Sequence, residues 1–293
     1  MKTAPTIKML EKMIDSALKN YPHSRDILES FKPVLLEKAR LVDGMESKKE
    51  LSMTLDETRF KEGIPFGEQN SLYYPDDPFK DISLSLIPAM IKGFPNLRPD
   101  LERLKGLIKK DAFDVKKFVD APSEDSQSIA QKLSTENGIS EQAVTFLAHM
   151  AAKVVLERRG RDWAELLKDF AWNKGFCPVC GSSPMVARID EGITKRWLVC
   201  SQCGNEWTFS RVICPSCDNR NQKTMDYFFI QDKEQESTFV CTQCKRYLIT
   251  LNRVSELTEF HGEITALSLV HLDVLMQEKG YLPMASTEWN TLS

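Results

Sequence analysis

The sequence predicts an α+β protein: an all-α N-terminal helical domain, two tandem four-cysteine modules built on β-hairpins, and a C-terminal helix. Three observations carry this. Residues 6–170 place apolar side chains at helical spacing, punctuated by Pro and Gly. Beyond Lys174 the pattern shortens to runs rich in β-branched and aromatic residues, bounded by Gly, Asp and Asn. All eight cysteines lie between Cys177 and Cys244, each in a C-x-x-C pair. The implied boundaries are 1–172 for the helical domain, 173–212 and 213–260 for the two modules, and 261–293 for the last helix and tail.

Taken in order, Ile7, Leu10, Ile14 and Leu18 share one helical face, closed by Tyr21-Pro22. Ile27, Leu28, Phe31, Val34 and Leu35 form the next stripe, with a kink or break expected near Phe31 because Pro33 lies inside it. Residues 58–78 are turn-rich and read as an ordered loop carrying Phe66 and the Tyr73-Tyr74 pair. Short helices are expected over 82–92, 97–109 and 123–133. The clearest helix starts at Ser140, is apolar on most sides and so belongs at the centre of a bundle. Gly160 is expected to stop it, with one more short helix over Trp163–Trp172. Strands follow at 184–189, 194–199, 206–210, 224–229, 237–240 and 247–251. A helix from His261 to Lys279 ends at Gly280, and the polar tail from Met284 reads as loosely held.

Composition narrows the function. The 293 residues are 42% hydrophobic and 28% charged with net charge -3, an ordinary globular balance rather than one built to coat nucleic acid or an anionic membrane. The longest nearly apolar run, Ala143–Leu156, contains His149 and Lys153 and falls short of the roughly 18 residues that suggest a membrane span. The N-terminus shows no apolar core of a secretory signal, so a cytoplasmic protein is expected. In a reducing compartment, paired cysteines serve as metal thiolates rather than disulfides.

Two residues between cysteines let a tight turn point both sulfurs at one cation, and two such turns complete a tetrahedral site. The expected ligands are Cys177, Cys180, Cys200 and Cys203 for one ion and Cys214, Cys217, Cys241 and Cys244 for a second. Pairing within each module is preferred, and a cross-braced arrangement of first pair with third stays open. Four thiolates suit zinc or iron equally. Pro178 and Pro215 follow the first cysteine of each module; Gly181 and Gly204 supply the positive φ that a knuckle needs. Asp218 and Lys245 occupy those positions in the second module, which is therefore expected to be less regular. A dithiol oxidoreductase would want one reactive C-x-x-C at a helix N-terminus rather than four pairs in two sets. A nucleic-acid ribbon would want a basic face, but residues 174–246 hold ten basic against eight acidic groups. His23, His149, His261 and His271 lie away from ligand spacing and read as core or surface histidines. No phosphate loop, nucleophile elbow or H-E-x-x-H is present, so no enzyme is expected.

The run Gly175-Phe176-Cys177-Pro178-Val179-Cys180-Gly181, with Cys200-Ser201-Gln202-Cys203-Gly204-Asn205-Glu206-Trp207 and Arg211-Val212-Ile213-Cys214-Pro215-Ser216-Cys217, is similar to the formate dehydrogenase accessory protein family (FdhE-type). Residues 59–66 and 272–281 also resemble that family. The resemblance implies rubredoxin-like modules with the eight cysteines as metal ligands. It further implies a cytoplasmic maturation factor that binds the catalytic subunit of a formate dehydrogenase; the charge and hydropathy pattern leaves neither membrane nor nucleic acid as an expected partner. A rubredoxin-type electron or metal donor and a zinc-ribbon nucleic-acid adaptor are the alternatives.

Overall fold

The structure, a computed structural model, describes residues 5–47, 53–190, 195–254 and 260–291. Met1–Ala4, Thr194 and the last two residues of the tail, all covered by the expectations above, lie outside these. The α+β class is observed: helices occupy the N-terminal part and a sheet carrying both cysteine clusters follows. The chain divides into two compact units, residues 1–14, 26–47 and 73–158, and residues 15–25, 48–72 and 159–293.

The first unit takes the first half of α1 (Ile7–Asn20), then α2 (Arg25–Gly44) from Asp26 on. The chain passes through α3 (Glu57–Glu62) and α4 (Phe66–Gln69) of the other unit before α5 (Phe79–Gly93), α6 (Arg98–Lys109), α7 (Val115–Asp120) and α8 (Ser123–Asn137). α9 (Glu141–Leu167) contributes its residues to Arg158. Val34, Leu86, Met90, Leu104, Val144 and Leu147 are core residues here, all fully buried. Ser140 caps α9, its hydroxyl accepting from the Ala143 amide at 3.3 Å and donating to Asp100 at 2.6 Å. α2 runs unbroken through Pro33. The proline removes one backbone donor, and burial of Phe31, Val34 and Leu35 on either side holds the helix together. Tyr73 packs its ring on Phe79 at 5.4 Å within this unit.

The second unit is organised by one sheet. Its strands are β1 (Pro184–Asp190), β2 (Arg196–Cys200), β3 (Glu206–Phe209), β4 (Met225–Ile230), β5 (Lys233–Cys241), β6 (Arg246–Val254) and β7 (Leu282–Pro283). The order is β3-β2-β1-β6-β5-β4, with β7 on β6. Each module forms an antiparallel three-stranded meander. A parallel β1–β6 ladder, Val186 to Ile249 and Arg188 to Leu251, fuses the two. Nothing in the sequence pattern announced that joint.

Two helices, α10 (Gly262–Ser268) and α11 (Val270–Glu278), cover this sheet where one was expected, the break falling at Leu269. Gly280, with φ 80°, ends the second one. Leu272 and Met276 pack with Val186, Val199, Val240 and Tyr247 in the core. The tail is not loosely held: Met284, Ala285 and Trp289 are buried, and β7 anchors their start. Apolar residues spaced among polar ones hid this.

Inside this unit two titratable groups, the buried Asp273 and the half-buried His271, oppose each other. Burial raises the Asp273 carboxyl to about 7, partly offset by the Tyr247 hydroxyl donating to it at 2.7 Å. Burial, with the charges of His23 and Lys233, lowers His271 to about 4. Between about pH 4 and 7 the native state holds the Asp273 proton that the unfolded chain releases, so this group makes stability fall as pH rises. His271 does the reverse: the unfolded chain takes up a proton below about 6.5 that the native ring refuses, so its contribution is lost as pH falls toward 4. At about 1.4 kcal/mol per unit the two slopes are comparable and nearly cancel. Urea titrations should therefore show Asp273→Asn gaining stability with rising pH across this window and His271→Gln losing it. Parallel profiles for both variants would contradict the assignment.

Candidate metal centres

Sulfurs gather in two sets, Cys177/Cys180/Cys200/Cys203 and Cys214/Cys217/Cys241/Cys244, each set within 4.8 Å. The fold thus groups the pairs within modules rather than across them. None of the eight cysteines is in a disulfide. In the first set the sulfur of Cys180 lies 3.4 Å from Cys200 and 3.6 Å from Cys203, and Cys177 lies 3.5 Å from Cys203. In the second, Cys214–Cys244 and Cys217–Cys241 are both 3.8 Å apart. A tetrahedral ion with metal–sulfur bonds of about 2.3 Å has sulfur–sulfur edges of about 3.8 Å. Both donor sets fit zinc or a single iron on this test.

Each knuckle is built by its backbone. The amides of Cys177, Cys200 and Cys214 donate to the carbonyls of Ser182, Asn205 and Asn219 at 2.9 Å, the same offset three times. The turn then needs a left-handed residue: Gly181 (φ 79°) and Gly204 (φ 67°) supply it in the first module. Asp218 (φ 54°) and Lys245 (φ 57°) adopt the same conformation in the second. The expected irregularity is therefore absent, and the second site instead carries local strain on the order of 1 kcal/mol at each non-glycine residue. The Lys245 ammonium rests over the Tyr281 ring at 5.6 Å, which offsets part of it.

The thiol chemistry is that of a set waiting for positive charge. Burial pushes Cys177 and Cys203 well up, while hydrogen bonds from Cys177, Cys200 and Cys203 hold Cys180 well below the usual range. Burial also raises Cys214 and Cys217. Cys241 is pushed up by burial but brought down to about 7 by the Cys244 amide and the Asn219 side chain. A cation that displaces the shared protons relieves both tendencies, so occupancy falls with falling pH.

Two outer partners were not visible as such in the sequence. The Asn205 amide points to the Cys177 sulfur at 3.8 Å, and the Asn219 amide to the Cys241 sulfur at 3.5 Å. Each asparagine follows one knuckle and reaches across to the other, fixing the sulfur's orientation.

The first site is further held by the segment expected to be a loop. Residues 57–69 form α3 and α4, with Asp56 capping the former through the Thr58 and Arg59 amides. The amides of Phe66 and Gly67, at the start of α4, donate to the carbonyls of Pro178 and Val179 at 2.9 and 2.7 Å. Phe66 packs edge-on against Trp163, and Phe60 packs tilted against Trp172. Gly160 is no helix stop, since α9 continues to Leu167. A Cβ there would lie 2.7 Å from the Cys203 carbonyl oxygen, so glycine is required for the helix to approach the knuckle.

The histidines stay outside both sites. His23 Nε2 and His271 Nδ1 share a hydrogen bond of 2.9 Å, with Glu236 3.6 Å from the other nitrogen of His271. Among the described residues, three-ligand clusters occur only at the cysteines. No helix among the described residues is long and apolar enough to cross a membrane.

Fold and sites together define an α+β protein whose two four-cysteine knuckle pairs, each able to hold a metal ion, are merged through one sheet. A family model described as FdhE, central domain, matches residues 176–211. Over 272 residues the chain is 25% identical to "Protein FdhE homolog" of Aquifex aeolicus (strain VF5), covering 89% of this chain and 87% of that one. It is 28% identical over 116 residues to "Protein FdhE" of Escherichia coli O1:K1 / APEC, 39% of this chain and 37% of that one. The crystal structure of the FdhE protein from Pseudomonas aeruginosa shares the fold with TM-score 0.60 at 18% identity, over 98% of this chain and 97% of that one. The chain is thus similar to FdhE proteins in sequence along most of its length and in fold.

Proposed function

We propose that this protein is a cytoplasmic accessory factor of formate dehydrogenase maturation, which binds the enzyme's catalytic subunit and is needed for active enzyme to form. The carrying observation is the agreement of relatives named FdhE with a chain whose cysteines are spent in two closed sets of four. In this reading all eight cysteines are ligands of two ions, iron or zinc, and the protein itself is not a catalyst. The bound ions would supply fixed geometry to the knuckles and, if iron, one-electron exchange. The chain's own part is to present the surfaces that the knuckles shape. Anaerobic affinity purification of the tagged protein should retain the catalytic subunit, and a deletion strain should lose formate oxidation. Failure of capture together with undiminished formate oxidation overturns the proposal.

A rubredoxin-type electron donor is the second reading, favoured by the partial exposure of Cys180, Cys217 and Cys244. An anaerobic preparation that is colourless and holds only zinc would remove it.

A further inference from the structure

The two modules repeat one order of parts: knuckle, strand, strand, knuckle, strand. The joint between them uses the first strand of one module, β1, and the last strand of the other, β6. The repeat implies a counterpart joint between β4, the first strand of the second module, and β3, the last strand of the first. Among the described residues no ladder joins those strands, and each is an edge of the sheet. Thr208 and Phe209 of β3 and Tyr227 of β4 instead line one cavity of about 830 Å³.

The lining has a definite chemistry. Lys195, Arg211 and Arg220 contribute three cations and are exposed, and no carboxylate is among the described residues that line it. Behind the wall lies a fourth cation. Arg196 is fully buried, its guanidinium between the rings of Phe209 and Phe239, donating to the carbonyls of Ser210 and Ile213 at 2.7 Å. The buried hydroxyl of Tyr227, from the β4 edge, faces this guanidinium and interacts with it. Three exposed cations with no carboxylate among them make a field that favours an anionic occupant. The edge is only lightly protected, by the one charge of Asp226 and by Lys279 over the Phe228 ring. β4 reads Met225-Asp226-Tyr227-Phe228-Phe229-Ile230, without Lys or Pro, and Phe229 is 55% exposed. Proteins blunt such edges unless a partner covers them.

We propose that this seam binds an extended, acidic polypeptide segment by strand addition at β3 or β4, its carboxylates facing Lys195, Arg211 and Arg220. A second copy of the chain is the poorer occupant, because it would bring the same three cations to the seam. The inference rests on the reading of this protein as one that holds a partner polypeptide, and it names the kind of segment held. Strand addition gains main-chain hydrogen bonds independent of sequence, while the cations select for charge.

The test is fluorescence anisotropy with the metal-loaded full chain and a labelled peptide of about ten residues, alternating Glu and Val, long enough for one strand. Binding is expected to weaken steeply as salt rises from about 50 to about 200 mM. The Lys-for-Glu peptide should not bind, and N-methylation of alternate amides, which removes ladder donors, should weaken binding by about tenfold or more. Arg211→Glu with Arg220→Glu, both exposed positions, should weaken it by about tenfold or more while melting temperature and metal content stay unchanged. Equal binding of the N-methylated peptide, or by the double variant, overturns the proposal. So does displacement of the peptide by inorganic pyrophosphate at lower concentration, which would mark a small-anion site, or a dimer in sedimentation that excludes the peptide. If the wild type captures the formate dehydrogenase subunit and the double variant does so undiminished, the seam proposal falls and the maturation reading stands. If the peptide results hold but the wild type captures no subunit, the reverse is concluded.

Discussion

Replacing Cys177 by serine is expected to reduce bound metal from two ions per chain to one and to destabilise the second unit by several kcal/mol. The Cys177 sulfur is fully buried, 3.5 Å from that of Cys203, with the Asn205 amide on it. A structural four-thiolate ion contributes about 10–16 kcal/mol of apparent binding energy, as much as the whole stability of an ordinary domain. A module of some 40 residues cannot replace that with its core. The loss should also travel. β1 begins just after the first knuckle and is laddered to β6, so amide protection should fall along both strands, while the β4–β5 pairing keeps most of its own. Hydrogen exchange with metal analysis reads both effects. Retention of two ions with unchanged protection would show that Cys177 is not a ligand.

The sequence made the cysteine grouping legible because a C-x-x-C turn is a local object and the separation of its pairs restricts which turns can meet. The strands were legible for the same reason, through alternation and flanking turn residues. What escaped was decided by distant partners. Gly160 has the local signature of a helix stop, yet α9 passes through it because the Cys203 backbone needs the missing side chain. Pro33 has the signature of a kink or a break, and α2 is one helix across it with buried residues on both sides. Asn205 and Asn219 share one spacing, two residues after the second cysteine of a knuckle, but which sulfur each reaches is set by the opposite knuckle. The β1–β6 joint is longest in range and left no trace in either strand's pattern. The seam at β3 and β4 is its consequence, because a repeat whose halves join once leaves two complementary edges unmatched.

The second large effect is expected from adding one methyl group at Gly160 or at Gly175. In a helix interior Gly→Ala ordinarily stabilises by about 1 kcal/mol. At Gly160 the new Cβ would sit 2.7 Å from the Cys203 carbonyl oxygen and 3.4 Å from its sulfur, so the sign should reverse to a loss of about 1–3 kcal/mol. Gly175 makes a sharper case. It lies two residues before Cys177, yet its Cβ would fall 2.0 Å from the oxygen and 2.5 Å from the Cα of Pro215, in the first turn of the other site. Those are backbone atoms, which cannot rotate away as a side-chain end would. Gly160→Ala should therefore loosen the first site, read as faster exchange of the Cys200 amide that donates to Asn205. Gly175→Ala should loosen the second, read at the Asp218 amide that donates to Cys214, and leave the nearer first site less affected. If proximity in sequence governed instead, Gly175→Ala would disturb the Gly181 amide, which donates to Cys177, and spare Asp218. The two outcomes separate a pair of sites that merely follow one another along the chain from a pair whose turns are packed into each other's approach.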